Sequence, residues 1–161
     1  MINIIAAMDE KRGIGKDSKI PWHISEDLKR FKRLTTGHTI MMGRKTYDSL
    51  PQKPLPSRIN MVITRNPDFK ADGVSVNNSF EEALAVAKEN EQSEIFIIGG
   101  AQIFQQAIDM GIVDRLYLTK VEGEFGADTF FPDYSDFKKA INEESGEENG
   151  IKYKFIDLER E

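Results

Sequence analysis

The segment Ile2–Met8 is apolar at almost every position, with Ile4, Ile5 and Ala6 in unbroken succession. A strand with one wet face alternates apolar and polar residues, so a nearly continuous apolar run belongs to a strand covered on both faces. Strand patterns also occur at residues 39–42, 59–64, 94–98 and 115–121, with a weak one at 74–76. Helical patterns alternate with them at 25–36, 44–50, 79–90 and 101–110. Such alternation specifies an α/β fold around a mostly parallel sheet. Asn149-Gly150 between two polar-apolar runs signals a tight hairpin, so the last strands are expected to be antiparallel and to form an edge.

Local signals punctuate these elements. Ser25 is read as the N-cap of the first helix, Glu26 and Asp27 favour its first turn, and Gly37 ends it. Residues 9–23 read as a long loop, with Gly13, Gly15 and Pro21. Pro51, Pro54 and Pro56 stiffen another. Ser79-Phe80-Glu81-Glu82 carries a capping-box pattern. The acidic stretch 143–148 reads as a solvated face or loop. No linker or repeat interrupts residues 1–161, which are expected to form a single domain.

Composition narrows the function. Hydrophobic residues make up 39% and charged residues 30% of 161, ordinary for a soluble globular chain. No apolar run is long enough to span a bilayer, and the N-terminal segment lacks the basic region of a secretory signal. With no cysteine, thiol catalysis, disulfides and thiolate metal sites are excluded, and a reducing cytoplasm is the expected setting. A net charge of −5 without a basic tract argues against nucleic acid. His23 and His38 lack metal-ligand spacing, so no metal site is expected.

In open parallel sheets, ligands bind beyond the carboxyl ends of the strands. Two junctions have suitable chemistry. Thr39-Ile40-Met41-Met42-Gly43-Arg44-Lys45-Thr46 joins a strand to a helix start through a glycine, two cations and a hydroxyl. Ile97-Ile98-Gly99-Gly100-Ala101-Gln102-Ile103-Phe104 does so through two glycines, which let a ligand approach the backbone closely. A helix N-terminus favours a phosphate, so the pair suits a ligand with separated phosphates, although each could equally be a plain turn. The G-x-G-x-x-G fingerprint is absent. Ile63-Thr64-Arg65 ends its strand in a hydroxyl and a cation, which with Arg44 favours a ribose 2′-phosphate and hence NADP over NAD.

Asp27 lies on the apolar stripe Ile24, Leu28, Phe31 and Leu34 or Thr35. A carboxylate facing an interior is costly unless it is satisfied. It either supports the helix N-terminus or meets a ligand beneath the preceding loop. Arg58 after the proline-rich loop is suited to a ligand carboxylate or to solvent. Trp22, the only tryptophan, reads as packing.

These residues together resemble the bacterial dihydrofolate reductases over essentially the whole chain. The matching segments are Ile5-Ala6-Ala7, Gly13-Ile14-Gly15, Ile20-Pro21-Trp22, Asp27-Leu28 with Phe31-Lys32-Arg33, and Met42-Gly43-Arg44-Lys45-Thr46. Leu55-Pro56 with Arg58, Ile98-Gly99-Gly100, Leu116-Tyr117-Leu118-Thr119, and Asp128-Thr129 with Phe131-Pro132 follow in the family's order. The resemblance implies three layers: a central eight-stranded sheet with an antiparallel C-terminal strand, flanked by four helices. It implies NADPH-dependent reduction of 7,8-dihydrofolate, in support of one-carbon and thymidylate metabolism, by a monomer open to antifolate inhibitors.

By the same resemblance, the cofactor phosphates would meet Gly43, Arg44, Lys45, Thr46, Gly99, Gly100, Ala101 and Gln102, with Ile103 and Phe104 behind them. The adenosine 2′-phosphate would meet Arg44, Thr64 and Arg65 beside Ile63. The nicotinamide would lie near Ala7, Ile14 and Gly15, under the loop ending at Trp22. Folate would sit among Ile5, Ala6, Asp27, Leu28, Phe31, Lys32, Leu50, Leu55, Ile98 and Thr119, with Arg58 on the glutamate tail. Asp27, Trp22 and Thr119 would carry the chemistry. Ser25 stands where the family often has proline, Ser57 where it often has glycine, and Phe104 where tyrosine is common. The rival readings are the related pyrimidine reductase of riboflavin synthesis, against which the Pro-Trp and Asp27-Leu28 pattern argues, and a non-catalytic NADP- or folate-binding protein.

Overall fold

A computed structural model describes residues 1–90 and 94–161. Among them are β1 (Ile2–Met8), β2 (Gly13–Gly15), α1 (Ser25–Thr35), β3 (Thr39–Gly43), α2 (Arg44–Ser49), β4 (Ile59–Ile63) and β5 (Val74–Asn77). There follow α3 (Phe80–Glu89), β6 (Ile95–Gly99), α4 (Ala101–Asp109), β7 (Arg115–Val121), β8 (Thr129–Phe130), β9 (Lys139–Glu148) and β10 (Ile151–Glu159). Eight strands form one sheet in the order β5-β4-β3-β6-β1-β7-β10-β9. All the pairings from β5 to β7 are parallel, and β10 alone runs against the rest.

The apolar runs explain the layers. On β1, Ile4 and Met8 face a core built with Phe80, Ala83, Leu84 and Ala87 of α3 and Ile103, Phe104 and Ala107 of α4. Ile5 faces the opposite side, in a second core with Ile40, Met42 and Tyr47 and with Phe31 and Leu34 of α1 packed on it. Both faces of the central strand are therefore dry, as its continuous hydrophobicity requires. The Ser79 hydroxyl accepts the Glu82 N–H at 3.1 Å, the expected cap of α3. Asn149 and Gly150 have φ of 52° and 82°, which suits the tight turn between β9 and β10.

Three expectations need correction, and one is met in a narrower form. The segment 9–23 is not all loop, because β2 pairs with β8 in a separate two-stranded sheet. Asp17 N–H donates to Asp128 Oδ2 at 3.0 Å and Asp128 N–H to Gly15 O at 2.9 Å, so the segment is tied down at its centre. The acidic stretch 143–148 is a solvated face but not a loop. It belongs to β9, whose pairing with β10 puts β9 outermost and the reversed strand one place in from the edge.

The other two concern α1. Leu28 is exposed, whereas Arg30 and Thr35 are buried, so the inward stripe is Ile24, Asp27, Arg30 and Phe31, and Leu34 and Thr35. A guanidinium tolerates that position because Asp157 pairs with it. Ser25 is the first helical residue rather than the cap. Its N–H donates to Glu148 Oε1 and Oε2 at 2.9 and 2.8 Å, and its hydroxyl to Oε2 at 3.0 Å. A carboxylate 123 residues away thus supplies the cap that α1 lacks locally. Glu148→Ala is expected to lower the thermal midpoint. In a Ser25→Pro background the same change should cost less, because proline is at home in the first helical position and leaves Glu148 only the Glu26 N–H to satisfy. Equal losses in both backgrounds, measured by thermal melts, would show that Glu148 acts elsewhere.

Candidate functional site

The inward face of α1 lies over the carboxyl ends of β1 and β7. Strand register sets Ile5 beside Tyr117, Ala6 beside Leu118 and Ala7 beside Thr119. The Thr119 hydroxyl, itself buried, donates to Asp27 Oδ1 at 2.5 Å. Burial pushes the Asp27 carboxyl above its usual range, against the Thr119 hydrogen bond and the Arg30 charge, which pull it down. Asp27 is thus a carboxylate held in a largely dry place, poised to favour a cation in contact with it.

Two turns along the helix, the Thr35 hydroxyl donates to Phe31 O at 2.7 Å and accepts from Arg58 Nη1 at 3.1 Å. Arg58 Nε also donates to Pro56 O at 2.9 Å. These bonds aim a half-buried guanidinium whose pKa is lowered by burial. Eight residues of helix put Asp27 and Thr35 about 12 Å apart along the axis. Between them Phe31, Leu50, Leu55 and Ile98 pack on the Ile5 core. The result is a face with an anion at one end, an apolar wall, and a cation at the other. Leu28, 54% exposed, and the exposed Lys32 border that wall at the margin of the inward face of α1. Ala6 is half-buried on β1 and packs against the opposite core.

The two glycine junctions converge. β3 and β6 are neighbours, with Met42 in register with Gly99. A Cβ on Gly99, where φ is +148°, would stand 3.0 Å from Thr46 Oγ1, and one on Gly100 would stand 3.4 Å from it. A Cβ on Gly43 would lie 3.5 Å from Ile103. The Gly99-Gly100 peptide is cis. Neither α2, starting at Arg44, nor α4, starting at Ala101, has a side-chain cap, so their first N–H groups face the junction. Lys45 and Gln102 are exposed there, whereas the Ile103 and Phe104 side chains are in the core, with the Phe104 ring tilted against that of Phe131 at 5.0 Å.

Gly43 is in register with Ile63, which brings Arg44 and Thr64 to one level at the end of the sheet, with Arg65 next. Arg44 lies over the Phe69 ring at 5.3 Å and 3.5 Å from Asp48, which orients it, and Arg65 is exposed. Close backbone approach, uncapped helix starts and these two cations fit a phosphate-rich dinucleotide.

The third side is the tied segment. Ile14 packs on the large core and Gly15 pairs with Thr129. Trp22 is buried against Phe125 at 5.3 Å, in a cluster with Ile24, Val121 and Tyr153 that Ala7 joins. Among the described residues no cluster of His, Cys, Asp or Glu is fit to hold a metal, and no helix is long and apolar enough to cross a membrane.

Sequence reasoning missed Arg30, Asp157 and Tyr117 around Asp27. Arg30 could have been found, because it follows Asp27 by three residues on the same helical face. Asp157 continues the alternate stripe Tyr153, Phe155 on β10, the one acid among aromatic neighbours.

A family profile described as dihydrofolate reductase matches residues 1–160. A dihydrofolate reductase of Bacillus subtilis is 42% identical over 164 residues, covering 99% of this chain and 95% of that protein. One of Staphylococcus aureus is 41% identical, with 99% and 98% covered. The solved dihydrofolate reductase of Enterococcus faecalis complexed with NADP(H) and RAB-propyl superimposes with a TM-score of 0.89 at 37% identity, covering 99% of this chain and 96% of that one.

Proposed function

Because the chain belongs to the dihydrofolate reductase family, we propose that this face of α1 takes the pterin at Asp27 and the glutamate tail at Arg58. The reaction is NADPH-dependent reduction of 7,8-dihydrofolate to 5,6,7,8-tetrahydrofolate. NADPH, when bound, supplies a hydride to C6 of the substrate's C6=N5 imine. An imine accepts hydride more readily once N5 is protonated, and the observation that carries the mechanism is the Asp27 carboxylate, fixed by Thr119 at 2.5 Å in a largely dry site.

Asp27 need not reach N5. Its negative charge stabilises the cationic ring, and the low surrounding dielectric strengthens that effect. Thr119 fixes the carboxylate's rotamer and helps hold the pterin through water. The N5 proton comes from water admitted by segment 9–23, and Trp22 at its end packs the rest of that wall shut. Ile5, Phe31, Leu50, Leu55 and Ile98 cover the ring and linker beside the Ala6 backbone, with Leu28 and Lys32 at the mouth. Gly43, Arg44, Lys45 and Thr46 and the Gly99–Phe104 backbone hold the cofactor phosphates, with Ile63, Thr64 and Arg65 at the adenosine and Ala7, Ile14 and Gly15 at the nicotinamide. The net charge of −5 supports an enzyme of small molecules rather than of nucleic acid. In this reading residues 1–161 form one domain, a cytoplasmic monomer at which antifolates compete with dihydrofolate.

The test is NADPH oxidation followed by absorbance with dihydrofolate present. Turnover is expected, and its absence overturns the reading. A further result is expected for Arg58→Leu. Losing a charge-assisted contact should raise KM for dihydrofolate by roughly tenfold or more. A pterin that lacks the glutamate should be nearly indifferent. Equal losses for both substrates would make Arg58 structural.

A further inference from the structure

Arg30 is 5% exposed, in the layer between α1 and strands β7 and β10. Its Nη2 pairs with Asp157 Oδ1 of β10. The guanidinium lies 4.7 Å from the Phe155 ring centroid and 5.8 Å from that of Tyr117. Its other terminal nitrogen, Nη1, is buried with no hydrogen-bond partner. A buried donor left unpaired is expensive, so its retention calls for a reason. Asp27 is three residues back on the same face of α1, within reach of the Arg30 charge.

The arrangement is a row of three charges: Asp27, Arg30 and Asp157. Thr119 takes one oxygen of Asp27, and the other has no hydrogen bond among the described residues. Asp157, not Asp27, takes the ionic hydrogen bond of the guanidinium. The cation is thus held beside Asp27 on the same helical face without occupying its lone pairs, which stay available to a ligand.

We propose that Arg30 is a positioning residue that keeps Asp27 ionised, and that Asp157 anchors Arg30 and offsets part of its charge. This rests on the assignment of Asp27 to the pterin. The arrangement answers two opposed demands. A carboxylate in a dry pocket tends to take up a proton, so it needs a nearby cation. A direct ion pair with that cation would use up the oxygens the substrate needs. Holding the cation by a second acid one layer below meets both.

Other charged or titratable groups face this row. Arg33 lies one turn along α1, Tyr117 on β7 is bonded to Arg115, and Tyr153 on β10 senses Asp27, Glu26, Glu144 and Glu148. The variants below leave all of them in place.

The experiment titrates the Asp27 carboxyl in the ligand-free protein by its carbon-13 shift, identified by its loss in Asp27→Asn. Arg30→Met should raise the midpoint, because the cation that favours the ionised carboxyl is gone. Asp157→Asn should lower it, because the Arg30 charge is no longer offset. Arg30→Lys, which keeps the charge, should stay near wild type. Shifts of opposite sign are the expected result. Shifts in the same direction, or none, are what loosened packing gives, and they would overturn the proposal. If Arg30→Met does not fold, Asp157→Asn decides alone, since an unchanged or raised midpoint is then sufficient to reject it. No substrate enters the measurement, so its failure is distinct from a failure of Asp27 to act on dihydrofolate.

Discussion

Asp27→Asn is expected to slow hydride transfer to dihydrofolate at pH 7 by roughly a hundred- to a thousandfold, the range for removing one preorganised electrostatic group. Asparagine keeps the size and some of the hydrogen bonding, so the loss reports the charge. The deficit should shrink as pH falls, because solution then delivers substrate already protonated. Wild type should gain less from acid, since its site already favours the cation. Single-turnover measurements across a pH series decide. A constant deficit at every pH would mean that Asp27 only orients the ring, and wild-type speed at neutral pH would remove it from the chemistry. NADPH affinity should barely change.

The same variant has an opposite effect on the fold. Burial raises the folded-state pKa of Asp27 above its unfolded value. Stability from such a carboxyl is fully present below the unfolded pKa and is lost as pH rises through the folded pKa. At neutral pH the ionised Asp27 is therefore a burden on the folded state, and Asp27→Asn should melt above wild type. The difference should vanish in strong acid. A lower melting temperature at pH 7 would show that the ionised carboxylate is a net stabiliser.

Replacing both Arg44 and Arg65 by alanine should weaken NADPH by roughly a hundredfold or more, at about 1.5–3 kcal/mol for each charge-assisted contact. NADH should lose far less, because it lacks the 2′-phosphate. Arg44 is the more informative of the two. Its stack on Phe69 and its 3.5 Å approach to Asp48 fix the guanidinium beforehand, so less freedom is lost on binding. Direct binding titrations with both nucleotides provide the check. Equal losses would mean that the arginines support the junction rather than read the phosphate.

The legible parts of this protein are those whose causes are local in sequence. β1 could be placed because a strand dry on both faces has to be apolar throughout. The β9–β10 turn could be placed because Asn149-Gly150 accepts positive φ at both positions. Asp27 stood out because it broke an apolar stripe. What escaped depends on register between distant segments. Nothing near Ser25 announces Glu148, and nothing near Arg30 announces Asp157, 127 residues away. β2 and β8 are three and two residues long, too short to carry a period, and exist only because the segments around Gly15 and Asp128 are laced together. Leu28 misled because it lies at the margin of the inward face, where it stays exposed, while a paired arginine is buried at the other margin.

The outermost strand has a further consequence. β9 is ten residues long, lies at the sheet's edge and is almost wholly exposed, which is the geometry that invites another chain to add a strand and start an aggregate. Glu143, Glu144, Glu147 and Glu148 stand along it. A second copy docking edge to edge would bring these carboxylates against their own kind, and like charges set opposite one another weaken a strand pair. The opposite edge, β5, is only four residues long. The acidic run that caps α1 at one end therefore also guards the open flank of the sheet, and uncharged residues in its place should leave that flank open to pairing with a second copy.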